Sequence, residues 1–288
     1  MLELIGRLAS WWYVRKSAGK GRPHVYSDKA IETCLTIAYL FRMPLRMAEG
    51  FVNSFFTKEK EGLKAPCYTQ MSRRASSIKL PEIKLLRGQQ LHLAFDSTGL
   101  KVFGEGEWKV RAHGASKRRT WRKLHLSVDI ESLQIMGASL TANSVDDASV
   151  AAEMLTNKFN GCVQEILGDG AYDVAKIYEA CRSIGANVIV PPNKNAKIQT
   201  NLVNPAKLPR DHAIARIRML GGDDNARKLW KKEVAYHQRS LAETTMYRFK
   251  STFSDKLKHK KFENQLAEAL IKANTLNRIA SIGFGGNR

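Results

Sequence analysis

Three acidic residues in this sequence lie in surroundings that suit chemistry. Asp96 interrupts the apolar run LAFDST, and an unpaired carboxylate in a buried strand costs several kcal/mol. Asp169 follows the run VQEIL, where the flanking Gly168 and Gly170 let a ligand or another backbone come close. Glu243 is the one acid in YHQRSLAETTMYRFK, residues 236–250, which also holds three strong bases. These carboxylates are the candidate reactive groups.

The stretch around Glu243 carries four unlike side chains at helical spacing. If residues 236–250 form one α-helix, Tyr236, Arg239, Glu243 and Lys250 fall in a stripe about 60° wide. The alternative is an amphipathic helix whose charges are simply solvated. Convergence of Glu243 with the other acids would favour a functional stripe.

Asp96, Asp169 and Glu243 are too far apart in sequence to meet through local structure, so only the fold can bring them together. Two carboxylates about 4 Å apart repel by roughly 4 kcal/mol at an effective dielectric of 20, and a divalent cation removes that cost. Oxygen ligands without Cys or His suit Mg²⁺ or Mn²⁺, and two such ions can promote phosphoryl transfer. A structural alternative stays open, in which Asp96 caps the turn at Ser97 and Asp169 caps a turn or a helix.

The charge of the chain indicates a polyanionic partner. The 288 residues carry a net charge of +20, and the excess of Lys and Arg lies in residues 1–90 and 171–288, around a nearly neutral centre. No apolar run approaches the roughly 20 residues of a membrane span, and the start of the chain does not resemble a signal peptide. The four cysteines have no zinc-site or disulfide spacing. We expect a cytoplasmic, nucleoid-associated bacterial protein that binds no membrane.

A second group of bases surrounds one aromatic residue. Residues 117–123, KRRTWRK, combine a basic cluster with a stacking platform, and they predict DNA contact unless they form a solvated hairpin. The residues assigned to this contact are Arg119, Trp121, Arg122 and Lys123. No phosphate-binding loop with the GxxxxGK[ST] spacing is present, so a nucleotide cofactor is not expected.

The first part of the chain predicts a small helical unit. A basic arm at 15–22 precedes a helix capped by Ser27, a second helix begins after Pro44, and a third runs from about Thr69. Arg73 and Arg74 lie on that third helix. Three short helices of this kind resemble a helix-turn-helix unit, whose last helix enters the major groove.

From residue 90 the pattern changes to alternating strands. Three consecutive strands predict an antiparallel meander, and a helix, a strand, a helix and a short strand follow. Together with a last helix, this order predicts an RNase H-like α/β fold. We therefore expect a DNA-binding region at 1–88, a catalytic core at 89–260 with a polar insert at about 193–227, and a C-terminal helix at 261–288.

The motifs carry a resemblance to a known family. FDSTGLK around Asp96, GDGAYD around Asp169 and the pattern Y-x2-R-x3-E-x6-K from Tyr236 to Lys250 resemble the DDE transposases of bacterial insertion sequences. PLRMAEGFV, YTQMSRRA and the final LNR are similar to the insertion-sequence-five family. The resemblance implies that Asp96, Asp169 and Glu243 bind the catalytic metal, and that Tyr236, Arg239 and Lys250 contact DNA.

This resemblance implies a function as well. The protein would bind terminal inverted repeats in double-stranded DNA, cut the DNA with two Mg²⁺ or Mn²⁺ ions, and join the freed end to target DNA, as a homodimer on DNA. Two alternatives stay open: an RNase H-like nuclease that cuts without joining, and a domesticated or inactive DNA-binding protein.

Overall fold

The computed structural model describes residues 10–14, 24–58, 62–78, 90–102, 121–159, 161–199 and 204–284. The strands are β1 (Leu91–Val102), β2 (Trp121–Asp129), β3 (Ile135–Ala142), β4 (Val163–Leu167), β5 (Asn187–Ile189) and β6 (Lys256–Leu257). The helices are α1 (Asp28–Leu40), α2 (Leu45–Lys58), α3 (Tyr68–Arg74), α4 (Asp147–Lys158), α5 (Ala175–Ile184), α6 (Leu208–Met219), α7 (Asp224–Glu233), α8 (Ser240–Phe253) and α9 (Phe262–Phe284).

One mixed sheet forms the centre of the molecule. Its strand order is β3-β2-β1-β4-β5, with β6 paired to the far end of β1. The pairs β1–β2 and β2–β3 are antiparallel, which confirms the predicted meander, whereas β4 and β6 run parallel to β1 and β5 runs parallel to β4. The predicted order of three strands, helix, strand, helix and strand is confirmed, and the protein has a mixed α/β fold.

Strand alternation divides β1 between two hydrophobic cores. Leu93 and Phe95 pack on the face covered by α4 and α5, whereas Ala94 packs on the face covered by α8. This second core also includes apolar residues of α1, α2, α3 and α9, so the N-terminal helices pack together with the sheet. Because side chains alternate along a strand, Asp96 belongs to the Ala94 face, as predicted.

The C-terminal helix α9 joins the sheet to the first helix through two neighbouring polar residues. Asn277 accepts from the backbone N–H of Ile135 at 2.8 Å and donates to its carbonyl at 2.9 Å, which satisfies the edge of β3. Arg278 forms an ion pair with the mostly buried Glu32 of α1 at 2.7 Å. The LNR sequence of α9 therefore has a structural role in this protein.

Several predicted helix ends follow from their capping residues. Ser27 accepts a hydrogen bond from Ala30 N–H at the start of α1, and Asp146 accepts from Ser149 N–H at the start of α4. Gly185 ends α5 in the left-handed conformation, with φ 76°. These short-range signals explain why the predicted helix positions agree with the structure.

The region 193–227 is more ordered than its polar composition indicated. It contains α6 and the first residues of α7, and the turn between them has left-handed Gly222, with φ 76°, followed by Asp223 as the cap of α7. Trp230 and Ile217 form a small hydrophobic core between these two helices. The predicted basic arm at 15–22 lies outside the described residues.

The helices were also compared with the length and apolarity of a membrane span. None of the helices there is both long enough and apolar enough to span a bilayer.

Candidate active site

Asp96 and Asp169 come from neighbouring parallel strands. Ala94 of β1 and Leu167 of β4 are direct partners in the sheet, and two residues further along each chain are Asp96 and Asp169. Asp169 lies just beyond the carboxyl end of β4, where its chain leaves the sheet. The sheet therefore brings these two acids side by side on the same edge.

The loop after β4 depends on a close contact at one glycine. A Cβ atom on Gly168 would lie 2.9 Å from ring atoms of Tyr172, which is closer than real Cβ contacts allow. The Tyr172 ring is buried against Phe95, with ring centroids 6.3 Å apart. Gly168 therefore lets Tyr172 fold under the loop that carries Asp169.

Asp169 also has the structural role that the sequence left open. Its carboxylate accepts a hydrogen bond from Ala171 N–H at 2.9 Å and caps the 3₁₀ turn Gly170–Tyr172. One oxygen makes this bond, and a carboxylate has four lone-pair positions in total. Capping fixes the orientation of Asp169 and leaves acceptor positions for another ligand.

Glu243 lies in the first turn of α8, which covers the same face of the sheet. Ala242 and Met246 of this helix pack in the core with Ala94. These contacts place the first turn of α8 against β1, and 52% of the Glu243 side chain remains exposed. The fold thus places the third acid on the same face of the sheet as Asp96.

The prediction of one continuous helix over residues 236–250 is wrong at its start. Residues Tyr236–Arg239 form a 3₁₀ turn, and the α-helix begins at Ser240. Ala235 adopts the left-handed conformation with φ 50°, which prevents a helix from running through this point. Because residues three apart eclipse in a 3₁₀ turn, Arg239 still lies over the Tyr236 ring, at 5.8 Å from its centroid.

The pKa of Asp96 is influenced by the other two acids. Burial raises the pKa of the Asp96 carboxyl, and the negative charges of Glu243 and Asp169 act in the same direction. The Ser97 N–H and the Arg239 guanidinium oppose this rise. Burial likewise raises the pKa of Tyr236, with contributions from Asp169 and Glu243. The charges of Asp169, Glu243 and Arg239 are therefore near enough to influence both Asp96 and Tyr236.

Arg239 partly neutralises the acids. Its guanidinium forms an ion pair with Glu243 one turn along, and only 19% of the Arg239 side chain is exposed. In the described part of the chain, no three Asp, Glu, His or Cys side chains are close enough to share one metal ion as they stand. The donor set nevertheless suits Mg²⁺ or Mn²⁺, because it consists of carboxylates only.

Lys250 lies with Lys101 and Trp121 at the far end of β1. The Lys101 ammonium forms an ion pair with Asp255 at 2.7 Å and lies 5.6 Å from the Trp121 ring centroid. The hydrogen bond from Lys101 lowers the pKa of Asp255, and the charge of Lys250 acts in the same direction. Trp121 therefore lies beside the Lys101–Asp255 ion pair, whereas Lys250 is linked to this end of the sheet only through its charge at Asp255.

Other predicted DNA contacts make internal interactions. Arg74 is ion-paired with Asp28 and donates to the Tyr26 carbonyl, whereas Arg73 is exposed. Arg122 donates to Gln265 at 3.1 Å and lies over the Phe262 ring. Arg119 lies outside the described residues.

Lys123 binds an acid that the sequence analysis did not select. Asp147, in the first turn of α4, accepts a hydrogen bond from Lys123 at 2.9 Å and another from Ser97 at 2.9 Å. Ser97 follows Asp96 directly. Burial lowers the pKa of the neighbouring His125, and Asp147 opposes that effect. Asp147 thus supports the strand segment that carries Asp96. Its sequence signal was hidden by Asp146, the cap residue beside it.

Comparison with known proteins identifies the family. A family model described as a transposase DDE domain matches residues 87–278, and a second model with the same description matches residues 5–105. Among solved structures, the chain is similar to the Drosophila P element transposase strand transfer complex, with 11% identity, 99% of this chain and 88% of that chain covered, and a TM-score of 0.34. The first family model spans well over half of the sequence, and the chain belongs to the DDE transposase family.

Proposed function

We propose that the protein is the transposase of a bacterial insertion sequence, which binds the terminal inverted repeats of its element, cuts the DNA there and joins the freed end to target DNA. The observation that supports this proposal is the placement of Asp96 and Asp169 two residues beyond the paired Ala94 and Leu167, with Glu243 on the helix that packs against Ala94. The motifs around these acids add the resemblance to the insertion-sequence-five family.

The three carboxylates are the residues that would hold divalent metal. Mg²⁺ or Mn²⁺, as two ions, would supply the positive charge that activates an attacking oxygen and stabilises a leaving oxygen. The chain itself orients the ligands: Ala171 N–H fixes Asp169, and packing of Ala242 fixes the turn that carries Glu243. Arg239 would exchange its ion pair with Glu243 for a phosphate of the bound DNA.

Tyr236, Arg239 and Lys250 are proposed as DNA contacts beside the acids. Arg239 lies within the field of the acids, and Lys250 lies two turns along the same helix from Glu243. Arg73, Trp121 and the residues Arg74, Arg119, Arg122 and Lys123 extend the proposed contact set. The internal bonds of Arg74, Arg122 and Lys123 favour a role for these three in positioning the backbone around the DNA rather than in strong phosphate binding.

The proposal also assigns a role to each part of the fold. The strand order β3-β2-β1-β4-β5, with α8 across the sheet, supports an RNase H-like catalytic core at 89–260. Helices α1 to α3 support a helix-turn-helix-like DNA-binding region within 1–88, and α9 corresponds to the C-terminal helix at 261–288. Handling two element ends requires a homodimer on DNA, and the expected location is the bacterial nucleoid.

The decisive experiment uses a supercoiled plasmid that carries the flanks of the gene. Purified protein is incubated with this plasmid in Mg²⁺, Mn²⁺ or EDTA, as wild type and as Glu243→Gln. Metal-dependent cuts and joined products at the flanks should disappear in Glu243→Gln while DNA binding persists. The control is Glu233→Gln, which removes a carboxylate that is ion-paired with Arg216 on α6, and it should cut normally.

The alternatives give different products in the same experiment. Cuts without joined products would favour an RNase H-like nuclease. Binding without cuts under any metal would overturn the transposase proposal for this chain and favour a domesticated or inactive DNA-binding protein. Cuts that persist in Glu243→Gln would contradict the assigned role of Glu243.

A further inference from the structure

A basic cleft lies between the N-terminal helices and the segment that follows α8. It has a volume of about 660 Å³. The ionisable side chains that line it are five bases and one histidine. They are Arg42 from the α1–α2 turn, and Lys256, Lys258, His259, Lys260 and Lys261 from the segment after α8. No carboxylate is among the described residues that line the cleft. This cleft is separate from the acids of the candidate active site.

Two of these cations hold the cleft together. Lys258 donates to the Met43 carbonyl at 2.9 Å, which joins the segment after α8 to the end of α1. Arg42 donates to the Ser251 carbonyl at 2.6 Å, in the last turn of α8, where a positive charge also complements the helix dipole. The cleft is therefore a built feature between two parts of the chain.

The other three cations have no such role. Lys256, Lys260 and Lys261 are exposed, and their ammonium groups form no ion pair within the described ranges. Glu268, the acid under the cleft, is fully buried and is paired with Lys272 at 2.6 Å. The acids nearest in sequence form no ion pair with these lysines in the described ranges: Asp255 pairs with Lys101 at 2.7 Å, and Glu263 lies in the first turn of α9. The uncompensated charge points to an anionic ligand.

The distance from the cleft to the acids follows from two elements of known rise. Along α8, the ten residues from Glu243 to Phe253 span about 15 Å. Along β1, the five residues from Asp96 to Lys101 span about 17 Å, and Lys101 is the sheet partner of Lys256. Both measures agree, and about 17 Å corresponds to about five base pairs of duplex DNA at 3.4 Å each.

We propose that this cleft binds the phosphodiester backbone of double-stranded DNA about five base pairs from the bond that is cut. This inference rests on the proposed function and adds a second DNA-binding site to it. The phosphates lie against Lys256, Lys260 and Lys261, while Arg42 and Lys258 keep the cleft open beside them. Arg42 and Asn264 of the lining donate to the Ser251 and Ser72 carbonyls, so the lysines make the proposed contact, which is to the backbone and holds the DNA in register with the acids.

The test measures DNA binding as a function of salt. The variant is Lys256→Gln with Lys260→Gln, and the matched control is Lys158→Gln with Arg182→Gln, which removes two positive charges from exposed residues of α4 and α5 on the opposite face of the sheet. Losing two phosphate contacts should reduce the slope of log K against log salt by about 1.8. A hydroxyl-radical footprint should lose protection about five base pairs from the cut, and the control should keep both.

A second measurement uses the unaltered protein and does not depend on the folding of a variant. DNA should protect Lys256, Lys260 and Lys261 from acetylation, read by mass spectrometry, while Lys158 stays reactive. An unchanged slope and footprint in the variant, an equal change in the control, or unprotected cleft lysines would each overturn the inference. If the wild type neither binds nor cuts its flanking DNA, the proposed function itself fails. If the wild type cuts normally and the cleft variant behaves like it, the cleft inference alone fails.

Discussion

Arg239 and Glu243 form an ion pair one turn apart, at the point where the acidic groups of the candidate site meet. The arrangement gives one carboxylate two possible cationic partners, the guanidinium of Arg239 and a divalent metal. Glu243 is half exposed, so its bond with Arg239 is accessible to exchange. Under the proposed function, the pair would couple metal binding to DNA binding, because a DNA phosphate would take over the guanidinium.

This competition predicts the effect of Arg239→Gln on metal affinity. Without DNA, the variant should bind Mn²⁺ on the order of fivefold more tightly, because an ion pair that is open to solvent on its Glu243 side is worth about 1 kcal/mol. Its cleavage of DNA should fall, since the guanidinium is a proposed phosphate contact. Isothermal titration calorimetry gives the affinity, and Arg216→Gln, which removes the partner of Glu233, is the control. Unchanged or weaker Mn²⁺ binding in Arg239→Gln would exclude competition for Glu243.

The buried histidine under the cleft predicts a pH dependence of stability. His259 is hydrogen-bonded to Tyr39 at 2.8 Å, and burial lowers its pKa, although the charge of Glu268 opposes this. Below the ordinary pKa of about 6.5 the unfolded chain takes up a proton that folded His259 does not, so the free energy of unfolding falls as pH decreases. One such group contributes up to about 1.4 kcal/mol per pH unit.

Urea unfolding between pH 7.5 and 5.5 tests this dependence. His259→Gln keeps a hydrogen-bonding side chain beside Tyr39 and should show a smaller loss of stability over this range than the wild type. The remaining slope comes in part from His125, whose pKa burial also lowers. His212, which is exposed on α6, gives the control variant His212→Gln. An equal pH slope in wild type and His259→Gln would show that His259 is not the titrating group.

Local patterns were enough to predict most of the elements of this fold. Alternation of apolar residues gave the strands, and it placed Asp96 opposite to Phe95. Capping residues such as Ser27 gave the helix starts. These features depend on neighbours within one or two turns, and such information is contained in any short stretch of sequence.

The remaining features depend on contacts between distant parts of the chain. The left-handed conformation of Ala235 has no local signal, because alanine favours helix, and a 3₁₀ turn follows it, so the predicted helix begins only at Ser240. The partner of Lys123 is Asp147, and only the fold brings them together. The basic cluster around Trp121 therefore carried no sign of this internal ion pair, and DNA contact by Lys123 stays a prediction.

Two adjacent acids at the start of α4 predict losses of stability of different size for the same substitution. Asp147→Asn weakens the bonds to Lys123 and Ser97, and it should lower the free energy of unfolding by about 1–3 kcal/mol, since Lys123 is partly buried. Asp146→Asn keeps a good helix cap and loses only the exposed pair with Lys176, so it should cost at most about 1 kcal/mol. Urea denaturation compares the two, and equal losses would contradict a supporting role for Asp147.

DNA cleavage gives a second comparison of these two variants. Because Ser97 is adjacent to Asp96, Asp147→Asn should also reduce the cleavage rate at a temperature where the protein remains folded. Asp146→Asn should cut at the rate of the wild type. Cleavage that is equally fast in both would limit Asp147 to a role in stability.

The two glycines beside Asp169 predict a further contrast. A methyl group on Gly168 would lie 2.9 Å from the Tyr172 ring, whereas the nearest atom to a methyl group on Gly170 is the Pro191 carbonyl oxygen at 3.9 Å. Neither glycine has a positive φ, so backbone strain does not separate them. Gly168→Ala should therefore cost about 1–3 kcal/mol of stability through overpacking and displace Asp169, while Gly170→Ala should be tolerated.

Urea denaturation and plasmid cleavage measure this contrast under the same conditions. Gly168→Ala should lose cleavage even at temperatures where circular dichroism shows a folded protein, because the loop that presents Asp169 moves with Tyr172. The double variant Gly168→Ala with Tyr172→Ala removes the two ring atoms at 2.9 Å from the methyl group, and part of the lost cleavage should return. If the double variant cuts no better than Gly168→Ala, the contact with Tyr172 is not what holds Asp169 beside Asp96.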